Sequence, residues 1–179
     1  GRRFSAEIGG NAPGVIHFYG PFPYREEINF ESEAAETEYY LKMLEKTIIA
    51  EGHNNVAAII LETVVGANGV IIYPEGYLKG VRELCDKYGI FMICDEVMAG
   101  FGRTGEWFAI QNWGVSPDMI SFAKGVNSGY VQLGGVIMNE KVASHFDENV
   151  LGCGLTYQGH PLACAAGYAS MDYFEDHNV

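Results

Sequence analysis

The stretch from Val56 to Val97 limits the folds open to this chain more than any other. "VAAIILE" (56–62) is an unbroken apolar run closing on an acid, the pattern of a strand covered on both faces of its sheet. "IFMICDEV" (90–97) repeats that pattern. Between the two lie a loop with Gly66 and Gly69 and then a helix over 74–88. Pro74 stands at its first-turn position, Gly89 at its stop, and Tyr77, Leu78, Val81, Leu84, Cys85 and Tyr88 form one apolar stripe. Strand, helix and strand make a βαβ unit, whose strands are parallel and whose crossover is right-handed.

Two further apolar runs, "MISFAK" (119–124) and "LGGVIMN" (133–139), extend the sheet. Ahead of the unit, Tyr40, Met43, Leu44, Thr47 and Ile48 recur at the three-and-four spacing of an amphipathic helix that Gly52 stops. The glutamates of this region form its solvated face. Residues 1–31, rich in Gly, Pro and aromatics, read as an irregular wrap with "VIHFYG" (15–20) as a short strand. "PLACAAGYASM", from Pro161, has the small residues of a helix packed closely on its neighbours. The fold class is α/β with a mostly parallel sheet.

A chain of 179 residues that is 48% apolar can bury a real core. Its net charge of −12, with no basic cluster, argues against a nucleic-acid partner. Cys85, Cys94, Cys153 and Cys164 sit among apolar residues without metal-ligand spacing, which suits buried thiols in a reducing cytoplasm. No apolar run reaches the length of a membrane span, about 18 residues, and no secretory apolar segment follows Gly1-Arg2-Arg3. The first residue is not Met and "FEDHNV" stops where a helix would be ending, so both ends read as cut from a longer protein.

Open parallel sheets take ligands beyond the carboxyl ends of their strands. Three strands here end on ionisable residues: Glu62, Asp95 with Glu96, and Lys124. Gly100, Gly102 and Gly105 spell G-x-G-x-x-G, but a pyrophosphate held there would lie beside two carboxylates, and the segment up to Gly114 is too short for the usual helix. The glycines therefore read as a tight loop. An apolar strand ending in Asp-Glu also occurs in P-loop ATPases, yet the chain has no G-x-x-x-x-G-K-[ST]. That reading stays as an alternative, beside a catalytically silent fragment. An acid and a lysine on neighbouring strand ends, about 4.8 Å apart per strand, can straddle one aromatic ring. Pyridoxal phosphate needs such a pair, a lysine for its aldehyde and a carboxylate to keep its pyridine nitrogen protonated.

"ICDEVMAGFGRTGEWF", "PDMISFAKGVNSGYVQLGGV" and "GLTYQGHPLACAAG" resemble, in order and spacing, successive signatures of the class III pyridoxal-phosphate aminotransferases. The resemblance covers residues 56–170 and implies a fold-type-I large domain, three-layer αβα. By it, Lys124 is the Schiff-base lysine, Asp95 the partner of the pyridine nitrogen and Val97 the side chain under the ring. Thr156 is similar to the threonine that reaches the cofactor phosphate across a homodimer interface. Glu62 matches the Glu of a Glu-Pro pair, with Thr63 replacing the proline, and Arg103 belongs to the motif as a loop anchor held by ion pairing.

Members acting on ornithine or γ-aminobutyrate carry a second acid where this chain has Ala67. Its absence points to the amine and ω-amino-acid group, most like taurine or β-alanine:pyruvate aminotransferases. The implied reaction moves an amino group from such a donor to a keto acid, pyruvate, through a pyridoxal phosphate Schiff base. The chain would be a single incomplete cofactor-binding domain over 1–179, lacking the small domain and the N-terminal segment and inactive alone.

Overall fold

The computed structural model describes residues 12–179. A four-stranded sheet carries the fold, in the order β1 (Ala58–Glu62), β2 (Phe91–Asp95), β3 (Met119–Phe122), β4 (Gly135–Met138). β1, β2 and β3 run parallel, and β4 returns antiparallel to β3. The βαβ unit is thus present as read, its crossover helix being α2 (Tyr77–Tyr88).

α2 begins three residues after Pro74 because Gly76 takes a left-handed φ of 81°, which interrupts any helical run from the proline. Gly89, also left-handed at 67°, caps its end as expected. α1 (Glu33–Ala50) starts at Ser32, whose hydroxyl accepts the Ala35 amide and so satisfies one orphan N–H of the first turn. Of its apolar stripe Leu44 and Ile48 are buried and Tyr40 half-buried, while Met43 stays 40% exposed.

Alternation along the strands decides which sheet face is core. Ile59 and Leu61 of β1, with Met92 and Cys94 of β2, pack under Leu78, Val81 and Cys85 of α2 and Leu44 and Ile48 of α1. The other face carries Ile60 and Glu62 beside Ile93 and Asp95 in register, and leaves Ile60 59% exposed.

Three expectations need correction. "VIHFYG" forms no strand: Val15–Gly20 pairs with no ladder, and the Pro21 and Pro23 that follow cannot donate to one. The apolar context of the cysteines separates into two kinds. Cys85 and Cys94 are fully buried, with burial pushing their thiols up to about 11 and about 12, whereas Cys153 and Cys164 are exposed because their segments lie outside the core cluster. α4 (Pro161–His177) packs closely only along Ala163 and Gly167, the latter facing Leu133 so tightly that an added Cβ would stand 2.7 Å from Leu133 Cδ2. The rest of α4 is largely open, including Leu162 and Tyr168 at 62% and 66%.

A buried ionic junction ties three elements together. Asp118, 4% exposed, accepts from the Arg82 guanidinium of α2 at 2.7 Å, the Met92 amide of β2 at 2.8 Å and the Asn139 side chain at 3.2 Å. Asn139 also caps α3 (Glu140–Ala143), the short helix after β4, by accepting the Val142 amide.

Candidate active site

The strand register aligns the candidate residues. Glu62 pairs with Asp95, and Asp95 with Ser121, so three residues stand in a row across the carboxyl ends of β1, β2 and β3. At the usual strand spacing that row spans about 10 Å. Lys124 follows Ser121 by three residues, exposed, just past the end of β3. Its φ of 44° is left-handed, a conformation that costs a non-glycine residue about 1–2 kcal/mol. Backbone strain of this kind persists where surrounding structure enforces it and clusters at functional sites.

Asp95 is half-buried, and its Oδ1 accepts the Val97 amide at 3.0 Å. That bond closes a tight turn over residues 95–97, fixes the carboxylate relative to Val97 and leaves Oδ2 without a hydrogen bond among the described residues. Val97 is half-buried. Glu62 uses Oε2 to accept the Gly66 amide at 2.8 Å, closing its own loop. Burial, and then the charge of Glu62, push the Tyr73 phenol up to about 12, so it stays neutral beside the carboxylate.

The glycine motif behaves as a loop. Gly102 and Gly105 adopt φ of 77° and 89°, and the Phe101 and Gly102 amides donate to the Trp107 and Glu106 carbonyls, forming a tight hairpin. This lays Phe101 against Gly125, where an added Cβ would come within 3.0 Å of the Phe101 Cβ. Lys124, Arg103, Ser128 and Phe174 line an open cavity of about 630 Å³ beside the hairpin. Arg103 makes no ion pair among the described residues, so the loop is anchored by its hairpin bonds and the Phe101 ring, which meets Trp107, Phe108 and Phe122 edge-on.

Thr156 stands apart from this group. It is exposed and lines a second cavity of about 520 Å³, with Gln132, Gln158 and His160, which shares no residue with the first. The strand ends thus align Glu62 and Asp95, with Val97 tied to Asp95 by the turn. Lys124 lies past the end of β3 and lines a cavity that includes none of those three, and Thr156 lies in neither group.

Glu96, grouped with Asp95 as a strand-end acid on the sequence, takes a different place in the structure. It is fully buried and its carboxylate takes three hydrogen bonds: from the Thr63 hydroxyl at 2.7 Å, the Ile110 amide at 2.9 Å and the Ala109 amide at 3.0 Å. The signal was present in the alternation Met92, Cys94, Glu96, which continues the buried face of β2 by one more step. Thr63, the departure from Glu-Pro, is itself fully buried, and its hydroxyl explains why the loop is kept in place without the proline.

Comparison with known proteins agrees with this architecture. The family described as Aminotransferase class-III matches residues 2–179. The structure of a taurine:2-oxoglutarate aminotransferase from Bifidobacterium kashiwanohense, in complex with PLP and glutamate, superposes with a TM-score of 0.93 at 55% identity. That match covers 98% of this chain and 40% of the other. A thermostable (S)-enantioselective omega-transaminase from Thermomicrobium roseum gives a TM-score of 0.90 at 40% identity, covering 96% and 38%. A putrescine–pyruvate aminotransferase of Pseudomonas aeruginosa is 38% identical over 168 residues, 93% of this chain and 37% of that protein. The chain thus spans well under half the length of these relatives. Its sheet is part of a fold-type-I large domain, and the chain belongs to the class III aminotransferase family.

Proposed function

We propose that the protein is a pyridoxal-phosphate-dependent aminotransferase, of which these residues form the central part of the cofactor-binding domain. The observation that carries this reading is the row Glu62, Asp95, Ser121 with the strained, exposed Lys124 beyond it. The residues suit the cofactor chemically: an amine free of hydrogen bonds among the described residues faces an open cavity, and a carboxylate with one unused oxygen stands at the next strand end. Bound pyridoxal phosphate supplies an aldehyde that condenses with amines and a ring that accepts electrons released from a C–H bond.

Each side chain then has a definite task. Lys124 Nζ would hold the cofactor through its aldehyde and, once freed, would carry the proton at the reacting carbon. Asp95 Oδ2 keeps the pyridine nitrogen protonated, since a neighbouring negative charge favours the protonated form. Val97, fixed to Asp95 through its amide, supports the ring, and Glu62 borders the site. Thr156 serves the cofactor phosphate of a second copy. Leu155 and Tyr157 beside it, and Leu162 and Tyr168 on α4, all more than 60% exposed, favour burial against such a partner.

The donor is proposed to be an amine or ω-amino acid and the acceptor a keto acid, with pyruvate and 2-oxoglutarate the two to compare. Reducing the full-length protein with borohydride in the presence of pyridoxal phosphate, then mapping peptides, should find the label on Lys124. Label on another lysine, or on none, ends this reading. Asp95→Asn should lower kcat/KM by roughly 10²–10³-fold, the usual loss when one preorganised electrostatic contact is removed. Asp95→Glu should recover part of it, and an unchanged rate in Asp95→Asn would exclude the carboxylate from the ring nitrogen.

A further inference from the structure

Glu96 ties together the parts of the sheet edge that carry the chemistry. Its amide donates to the Ser121 carbonyl at 2.9 Å, three residues before Lys124. Its carbonyl accepts the Gly100 amide at 2.9 Å, so closely that a Cβ on Gly100 would stand 2.9 Å from the same oxygen. Its carboxylate holds Thr63, the residue after Glu62, and the first two amides of the 3₁₀ segment Ala109–Trp113. Glu96 is also the middle residue of the turn that Asp95 Oδ1 closes onto the Val97 amide. Any shift of its backbone therefore moves the Asp95 carboxylate and Val97 together, relative to the end of β3.

Among the described residues no cation pairs with this carboxylate. Its three partners are all neutral donors, and two are backbone amides that only a proline substitution would remove. The Thr63 hydroxyl is the one donor set by side-chain identity, and a proline there could not supply it. A buried polar network is stiff when every member is satisfied and loose when one is missing.

We infer that Glu96, held by the Thr63 hydroxyl, is a positioning residue that sets Asp95 against the lysine-bearing end of β3. The inference rests on the proposed roles of Asp95 and Lys124. Asp95 then senses the state of a residue that never meets the cofactor.

The test uses the full-length protein as Thr63→Val, which keeps shape and removes the donor, with Thr63→Ser as the variant that restores it. Glu96→Gln is the second probe; should it fail to fold, Thr63→Val still decides. In the cofactor-loaded protein, Thr63→Val should shift the pH midpoint of the bound cofactor's visible absorbance by about half a unit or more, because the charge beside the ring has moved. Thr63→Ser should return it to the original value. In the cofactor-free protein, the Ala109 and Ile110 amides of Thr63→Val should exchange roughly five- to tenfold faster, the worth of one hydrogen bond.

A Thr63→Val protein of lower stability with an unmoved midpoint would make Glu96 purely structural and overturn the inference. Unchanged exchange at Ala109 and Ile110 would overturn the clamp itself. Failure of the underlying aminotransferase reading would show separately, as an unmodified protein that takes up no cofactor on Lys124.

Discussion

Lys124→Ala in the full-length protein is expected to lose the cofactor's lysine-bound absorbance and to lower the rate of amino-group transfer by roughly 10²–10⁴-fold, the range for removing a positioned proton carrier. Two tasks fall on the same Nζ, attachment and proton movement, so both are lost together. Among the described residues, Lys124 is the lysine that lines the cavity beside the hairpin. The measurement is a single half-reaction followed spectrophotometrically with excess donor. A variant that turned over within tenfold of the parent would remove Lys124 from the mechanism. Small free amines added to Lys124→Ala should restore part of the proton transfer but not the covalent attachment, separating the two tasks.

The second large effect concerns stability. Asp118→Asn should destabilise the folded state by about 3 kcal/mol, the lower end of the cost of breaking a buried ion pair. The lower end applies because Arg82 keeps Asp86, at 2.8 Å on the next turn of α2, as a solvent-exposed partner. The pH dependence has a fixed sign. Burial works against the Asp118 charge, but the Met92 amide and the Arg82 guanidinium outweigh it and hold the carboxyl below its ordinary value of 3.8. A depressed native value means that this stabilisation is complete above the ordinary value and is lost as pH falls through the native one. Urea midpoints should therefore differ most between parent and Asp118→Asn near neutrality and converge in acid. A gap that stayed constant down to the acid transition would contradict the ionic account.

Much of this was legible in the residues. The apolar runs ending in Glu62 and Asp95 and the stripe Leu78, Val81, Cys85 specified the βαβ unit. Of β1, however, only the face of Ile59 and Leu61 is buried and Ile60 stays 59% exposed, contrary to the expectation of cover on both faces. Asp95 and Lys124 are candidates on the sequence because ligands of such sheets collect at strand ends. Less visible were contacts made by residues far apart in sequence. Nothing local to Arg82 or Asp118 announces that they meet across 36 positions. Pro74 misled because its helix-starting preference is local, while Gly76 two residues later controls the backbone. Glu96 was grouped with Asp95 because adjacent acids look alike in sequence, whereas the pleat turns Asp95 to the opposite sheet face and sends Glu96 into the core.

The left-handed backbone at Lys124 has an evolutionary side. A glycine would relieve that conformation at no steric cost, so the position is one where thermodynamic preference and chemistry pull in opposite directions. If Lys124 is the cofactor lysine proposed above, a library sorted on heat resistance alone would drift toward glycine there and lose activity. On that proposed role, any attempt to harden this protein holds residue 124 fixed and seeks its gains elsewhere, along the exposed face of α1.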